Sequence, residues 1–374
     1  VVTGADVSLR RVRATAATGN NAPCIWLNGA VRPYLEQVEA ADGPRFGINI
    51  QAATGAVVEG GRVTDPGSRG ISVSSVDTIE LRGVEVIRAG AVLLNAAGLY
   101  FSGCESVVVT SSAISGAVVP TTVLDSSGGA VEFVNSTLAT ISNTFLSTAQ
   151  PAVEVVTDNT AALDLTLDHV TITGSTVQPA VLDSSGRATI TVTNSVLAFN
   201  PGGDLASSLA SLSHSFNLRH QNGAGSVALG ADELDADPLF ADLAGGDVHL
   251  LSQYGRFDPA SGWVADAETS PAIDLADPGA PYSSEPDPNG GRANAGAFGN
   301  TAQASMSSSG TITDAAMPDL VRPDSSLPDT LQPDAARPDA SAPDTTSQPD
   351  GSQNDASQND AAQLDVLQLD AAQT

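Results

Sequence analysis

The sequence predicts an all-β protein, a parallel β-helix solenoid followed by a disordered Pro/Asp-rich tail. Three observations support this fold class. A short apolar phrase with a turn residue at its centre recurs about every two dozen residues. A second phrase, in which apolar and polar residues alternate, precedes most copies of the first by about eight to eleven residues. Near residue 305 the composition changes sharply, and regularly spaced Asp residues follow.

The first phrase predicts a sharp bend between two short strands in each repeat. Its copies begin at Leu9, Leu35, Val58, Leu81, Val109, Phe133, Leu167 and Val192. The third residues of these copies are Arg11, Gln37, Gly60, Gly83, Ser111, Asn135, His169 and Asn194. Gly, Asn and His, which are the types that best tolerate positive φ, fill five of the eight positions. We therefore expect a left-handed residue at the bend, with Arg11, Gln37 and Ser111 as exceptions.

The second phrase has a period of two, which is typical of strands with one buried face. It occurs at residues 25–27, 48–50, 71–73, 99–101, 123–124, 155–156 and 181–182. The flanking residues are expected to point inward and the middle residue outward. A repeat of about 24 residues then predicts one coil per unit, with equivalent strands stacked about 4.8 Å apart. A β-sandwich is the alternative, but it predicts alternation every 8–12 residues without phase over a long range.

The last part of the chain, residues 306–374, is predicted to be a disordered acidic spacer. It contains no aromatic residue, and its Asp residues recur on a five-residue beat, seven of them as Pro-Asp pairs. Twelve Asp and two Arg give this segment a net charge of −10. It can bury too little apolar surface to offset its ordering entropy, and Pro and like charges keep it extended. A calcium-binding Asp repeat is the alternative, although the glycines and close Asp spacing of calcium loops are missing.

The charge balance excludes several classes of protein. The chain has a formal net charge of −28, and all fifteen basic residues are Arg. Because so few cations are present, the sequence predicts no nucleic-acid partner. The absence of Lys excludes a P-loop NTPase and a Lys Schiff-base enzyme. Two Cys are too few for a disulfide scaffold, and no apolar run is long enough for a transmembrane segment.

Several phrases resemble a known superfamily. Phe133-Val-Asn-Ser-Thr-Leu138 and Val192-Thr-Asn-Ser-Val-Leu197 resemble coil turns of right-handed parallel β-helix proteins, the pectate-lyase-like superfamily. The closing module of bacterial secreted proteins with a choice-of-anchor Q domain is similar to four later segments: Ala236-Asp-Pro-Leu-Phe240, Asp247-Val-His-Leu250, Ser270-Pro-Ala-Ile-Asp274 and the Gly/Asn/Ala-rich stretch 288–304. The resemblance covers residues 1–305 and is strongest from residue 236 onward. It implies an architecture rather than an activity, since this fold carries lyases, hydrolases, epimerases and adhesins.

The resemblance also suggests how the chain is divided. We expect residues 1–200 to form β-helix coils, residues 201–305 to form the last coils and the closing module, and residues 306–374 to form the spacer. Val1 begins inside a coil, and the end coils of a solenoid need caps. We therefore expect the N-terminus to be truncated, with further coils upstream.

Catalytic motifs of the superfamily are missing from the sequence. Polygalacturonase-like members have a Gly-His-Gly and an Arg-x-Lys element, and neither occurs here. Lyase members typically place a Lys or Arg base beside calcium-binding Asp residues. With no Lys, only Arg could serve as that base, and no Asp-Arg cluster recurs in phase on successive coils. Whether the protein is an enzyme stays open at this point.

One candidate site follows from the outward residues of four consecutive strands. Trp26, Asn49, Ser72 and Tyr100 hold the middle position of the alternating phrase. The two aromatic residues would lie three strand spacings apart, roughly 14 Å. Aromatic side chains along a groove bind the flat faces of sugars by stacking. The sequence therefore suggests a carbohydrate-binding face, with coverage by a loop or cap as the alternative.

Calcium is the one cofactor that the sequence suggests. Asp125, Asp158 and Asp183 follow the same predicted strand in successive coils and could line up. Carboxylates about 5 Å apart repel each other unless a cation or a shared proton intervenes. Asp is equally an ordinary turn residue that accepts hydrogen bonds from its own backbone, and that interpretation is favoured. The acidic run from Asp232 to Asp242 is predicted to be a solvated loop.

Two functional hypotheses follow. The first is a secreted or bacterial cell-surface protein that binds polysaccharide or cell-wall glycan, as an adhesin-like or structural molecule. The second is a polysaccharide lyase or glycoside hydrolase of the same fold. The acidic body, with a net charge of −18 over residues 1–305, favours a neutral glycan over a polyuronate in either case.

Overall fold

The computed structural model describes residues 6–15, 22–89, 97–117, 129–156, 162–206, 208–209 and 211–308. These residues form strands and turns without a helix. The strands are β1 (Ser8–Arg10), β2 (Arg13–Thr15), β3 (Ile25–Asn28), β4 (Tyr34–Ala41), β5 (Ile48–Gln51), β6 (Ala56–Thr64), β7 (Ile71–Ser74), β8 (Thr78–Ile87), β9 (Leu99–Ser102), β10 (Ser106–Thr110), β11 (Ala113–Ala117), β12 (Val131–Val134), β13 (Leu138–Thr148), β14 (Val153–Val156), β15 (Asp164–Thr173), β16 (Val181–Asp183), β17 (Thr189–Thr193), β18 (Val196–Ala198), β19 (Ser211–Ser215), β20 (Leu218–His220), β21 (Phe240–Asp242), β22 (Asp247–Leu250), β23 (Arg256–Asp258) and β24 (Gly262–Val264).

Parallel strands from successive repeats stack into two sheets. Seven strands form one sheet in the order β3-β5-β7-β9-β12-β14-β16. Thirteen form the other, with β1-β4-β6-β8-β10-β13-β15-β17-β19 as its main path. From β3 to β18, each coil thus adds one strand to the seven-stranded sheet and either one long strand or two short ones to the larger sheet. This arrangement confirms the predicted parallel β-helix solenoid.

The interior is filled by columns of side chains. Each column contains one residue from each coil, at the equivalent position of stacked strands. Leu35, Val58, Leu81, Val109, Ile141, Leu167 and Val192 form such a column in the larger sheet, and none is exposed to solvent. In the seven-stranded sheet, the rings of Phe101 and Phe133 stack at 5.4 Å. Apolar residues at the flanking positions of the alternating phrase build this core, because every second side chain of a strand points to the same face.

The bend in the larger sheet is more uniform than the sequence indicated. Arg11, Gln37 and Ser111, expected as exceptions, have φ values of 52°, 51° and 51°. Backbone hydrogen bonds between neighbouring coils hold this geometry, as from the N–H of Arg11 to the carbonyl of Glu36 at 2.8 Å. The prediction that these three residues would be exceptions to the left-handed bend was therefore wrong. Stacking of equivalent residues imposes the left-handed conformation whatever the side chain.

One copy of the bend phrase was assigned to the wrong corner. Asn135 has a φ of 51°, but it follows β12 at the end of the seven-stranded sheet. The residue that stacks between Ser111 and His169 is Asn143, with a φ of 47°. This coil therefore has a left-handed residue at two corners. Because both corners have similar apolar neighbours in the sequence, spacing alone does not distinguish them.

At the last coil, a buried ion network takes the place of an apolar core residue. Arg219 is the register partner of Leu197, at a position where earlier coils place aliphatic side chains. Its guanidinium bonds the carboxylate of Asp204 at 2.6 and 2.8 Å and that of Glu233 at 3.2 Å. Glu233 was expected in a solvated loop, but its side chain is fully buried. This pairing lets a charged group occupy the end of the core.

The segment after the last coil packs against the bend of the larger sheet. It contains two antiparallel hairpins, β21–β22 and β23–β24. The side-chain amide of Asn143 donates to the carbonyl of Gly299 at 2.7 Å, and the N–H of Gly296 donates to the carbonyl of Asn194 at 2.8 Å. The closing segment is thus tied to the solenoid through the bend residues. Apart from residues 306–308, the predicted spacer lies outside the described residues.

Candidate glycan-binding site

The four predicted glycan-binding residues share one column of the seven-stranded sheet. The register pairs Trp26 with Asn49, Asn49 with Ser72, and Ser72 with Tyr100. The column continues through Glu132, Glu154 and Leu182 on β12, β14 and β16. We call these seven residues the outward column, since they alternate with the core residues of the same strands. Aromatic, amide, hydroxyl and carboxylate groups therefore follow one another along a single line.

Glu132 and Glu154 were missed because the phase of two coils was misread. Residues 133–138 were taken as a bend phrase, and residues 123–124, which lie outside the described residues, were taken as that coil's strand. The signal was nevertheless present. Val131-Glu-Phe133 and Val153-Glu-Val155 have the same apolar–polar–apolar form as Ile48-Asn-Ile50. A search for the alternating phrase before the bend phrase would have found both carboxylates.

Much of the outward column is covered. Trp26 and Tyr100 are partly exposed, whereas Asn49 and Ser72 retain only 4% and 3% of their accessible surface. The guanidinium of Arg69 lies 3.2 Å from the centroid of the Tyr100 ring and covers one of its faces. Arg69 also acts on Glu132, so Tyr100 and Glu132 share one cation that no sequence pattern pointed to.

The loops before β5 and β7 carry the arginines of this site. Arg69 precedes β7, and Arg45 precedes β5 and lies over the ring of Phe46 at 4.6 Å. The two loops stack in register, since the N–H of Ser68 donates to the carbonyl of Arg45 at 2.7 Å. Burial lowers the pKa of Arg69, while Tyr100 and Glu132 act in the opposite direction. The site thus combines two cations from loops with two carboxylates from strands.

Three buried polar atoms of the site have no hydrogen-bond partner among the described residues. They are Oδ1 of Asn49, Oε2 of Glu132 and Nε of Arg69. Burial raises the pKa of Glu132 to about 7, against the opposing effect of Arg69 and with a further contribution from Glu154. Unpaired buried polar atoms are costly, and their clustering at functional sites is informative. Near neutral pH, Glu132 can accordingly either hold or release a proton.

Trp26 and Glu154 each have a described polar contact. The indole N–H of Trp26 donates to the side-chain carbonyl of Gln51 at 3.3 Å. The hydroxyl of Ser184 donates to a carboxylate oxygen of Glu154 at 3.3 Å. These contacts orient Trp26 at one end of the column and Glu154 next to its other end.

The predicted calcium residues cannot be evaluated as a set. Asp125 and Asp158 lie outside the described residues. Asp183 is the register partner of Val155, so it has the phase of the core rather than of the outward column. Its carboxylate accepts hydrogen bonds from the backbone N–H groups of Ser185, Gly186 and Ala188 at 2.8 to 3.0 Å. Such bonds are typical of an Asp that stabilises a turn. Within the described ranges, no group of three or more His, Cys, Asp or Glu is arranged to hold a metal ion.

The comparisons with known proteins are sparse. No protein-family model matches the chain, and no curated protein matches it. Among solved structures, the chain is similar to one titled "Crystal structure of pectate lyase Pel9A", with a TM-score of 0.44 and 12% sequence identity. That match covers 79% of this chain and 82% of the other. The parallel β-helix fold follows from the strand register of this protein itself. In the described part of the chain, no helix is long and apolar enough to cross a membrane.

Proposed function

We propose that this protein binds a polysaccharide or cell-wall glycan along the outward column. The observation that carries the proposal is the unbroken register of Trp26, Asn49, Ser72 and Tyr100 on four adjacent strands. A glycan chain is itself a linear repeat, and a solenoid offers it a line of regularly spaced groups. A secreted or bacterial cell-surface location, with the tail as a spacer, belongs to the same proposal.

The chemistry of the column suits a sugar. Trp26 and Tyr100 supply aromatic surface, which stacks on the apolar faces of sugar rings. Between them, Oδ1 of Asn49 is an acceptor that lacks a described partner, and a sugar hydroxyl can donate to it. Buried acceptors without a partner favour a ligand that supplies the missing donor.

A glycan array followed by calorimetry tests this proposal. We expect Trp26→Ala and Tyr100→Ala to weaken binding of the best glycan about tenfold each, since a stacked aromatic contributes roughly 1–1.5 kcal/mol. Tyr254→Ala is the matched control, because Tyr254 is an exposed aromatic outside the column. Equal affinities for the wild type and the two column variants would overturn the proposed site.

A polysaccharide lyase or glycoside hydrolase is the second candidate function. The observation in its favour is the group formed by Glu132, Glu154 and Arg69, since a carboxyl that titrates near pH 7 can transfer protons in catalysis. Incubation with a panel of neutral and acidic polysaccharides would test it, with new reducing ends and unsaturated ends as readouts. Cleavage that Glu132→Gln abolishes supports an enzyme, and the absence of both products across the panel argues for binding alone.

A further inference from the structure

Glu132 and Glu154 stand side by side where the aromatic part of the outward column ends. They are register partners on β12 and β14, strands roughly 4.8 Å apart. Both are well buried, with 4% and 7% of their accessible surface exposed. Two carboxylates at this distance repel each other unless a proton or a cation lies close by.

The unfilled hydrogen-bonding capacity of the outward column consists of acceptors. Oε2 of Glu132 and Oδ1 of Asn49 have no partner within the described ranges. Arg69 is the cation that acts on Glu132, but its guanidinium lies over the Tyr100 ring and its Nε is itself unpartnered. The unpaired acceptors of the site therefore favour a ligand that supplies N–H donors and positive charge.

We infer that the glycan bound by the outward column carries free amino groups, and that Glu132, with Glu154 beside it, binds the ammonium group of an amino sugar. This inference rests on the proposed glycan binding and specifies its ligand. An ammonium donates up to three hydrogen bonds and forms strong charge-assisted bonds to carboxylates. It supplies a further cation next to Glu132, in addition to Arg69.

The rest of the molecule suits a cationic polymer. Residues 1–305 carry a net charge of −18, which attracts a polycation and repels a polyanion over a distance. Trp26 and Glu132 are four strand spacings apart, roughly 19 Å, so one oligosaccharide can span both. Stacking at Trp26 and ion pairing at Glu132 can then act on a single chain.

Calorimetry with two oligomers tests the inference. The probes are the hexamer of β-1,4-linked glucosamine, with its amines free, and the corresponding fully N-acetylated hexamer. At pH 7 and low salt, we expect the free-amine hexamer to bind at least tenfold more tightly. Glu132→Gln, which keeps the side-chain shape, should reduce this preference about tenfold, and Glu154→Gln should reduce it in the same direction. Trp26→Ala should weaken both oligomers equally.

The controls separate this inference from the proposed function. Glu39→Gln removes one exposed carboxylate from the other sheet and should leave the preference unchanged. If both hexamers bind equally well to the wild type and to Glu132→Gln, the inference is overturned while glycan binding stands. If neither hexamer nor any arrayed glycan binds, both ideas fail. Binding of calcium alone that depends on Glu132 would reveal a metal site and would also overturn the inference.

Discussion

Single residues of this protein adopt conformations that their types disfavour. Gln37 and Ser111 have φ values of 51°, in the left-handed region that usually costs a non-glycine residue about 1–2 kcal/mol. The cost is offset because each residue continues a ladder of hydrogen bonds between coils, as in the bond from the N–H of Ser111 to the carbonyl of Ser142 at 3.2 Å. The neighbouring coils, rather than the side chain, set the conformation.

Glu132 is a second residue whose surroundings oppose its ordinary behaviour. Its pKa is raised from 4.5 to about 7 by burial, so the folded protein binds a proton more readily than the unfolded chain. The stability from this proton is fully present below pH 4.5 and is lost as pH rises through 7. We expect Glu132→Gln to raise the free energy of unfolding at pH 8 by up to about 3 kcal/mol and to change it little at pH 4.5. Urea denaturation at the two pH values measures this.

The control for the Glu132 prediction is an exposed carboxylate. Glu39→Gln removes an acidic side chain that pairs with Arg13 at the surface, and such pairs contribute about 0–1 kcal/mol. Its effect should be small at both pH values. A Glu132→Gln effect of the same size at pH 4.5 and pH 8 would contradict the assignment of a buried, titrating carboxyl.

At the scale of the element, close packing between coils limits which corners accept a side chain. Gly70 and Gly98 occupy the corner before β7 and β9, and a Cβ on Gly70 would overlap the carbonyl of Gly98 and the side chain of Val86. Gly83 stands at the bend of the larger sheet, where a Cβ would come no closer than 3.9 Å to the carbonyl of Ser111. Gly70 is therefore required by steric packing, whereas Gly83 is only favoured by its backbone conformation.

These two corners give a matched prediction. Gly83→Ala should cost about 1 kcal/mol, because a similar φ to its 60° is adopted by Ser111 in the next coil and by Gln37 two coils earlier. Gly70→Ala should cost about 2 kcal/mol or more, since the overlap forces the coils apart. Chemical denaturation of both variants measures the difference. Equal losses of stability would show that steric room at the corner does not limit the stack.

At the scale of the whole molecule, the buried ion network closes the last coil of the solenoid. Arg219 pairs with Asp204 and Glu233, and all three side chains are at least 95% buried. Removing one partner leaves a buried charge without compensation, so Arg219→Ala should lower the free energy of unfolding by about 3–5 kcal/mol. The exposed pair of Arg62 and Glu85 provides the control, and Arg62→Ala should cost at most about 1 kcal/mol. Similar losses in both variants would contradict a capping role for the network.

Much of this fold could be predicted because a solenoid repeats its own pattern. Strands β3, β5, β7 and β9 were found in the correct phase, since apolar residues at their flanking positions mark one face of a strand. The prediction lost phase near Phe133, where Asn135 and Asn143 are left-handed residues at different corners. A local phrase cannot tell these corners apart, because the identity of a corner depends on which coil stacks above and below.

The sequence by itself determined the class of this protein, through its repeat, its alternating strands and its composition. It also aligned Trp26, Asn49, Ser72 and Tyr100, because residues of equal phase in stacked strands form a column. Only the tertiary structure decided that Arg69 lies over Tyr100 and acts on Glu132. It alone decided that Arg219 and Glu233 are buried. These features depend on contacts between residues of different coils and loops, and a local sequence pattern contains no record of the distances between them.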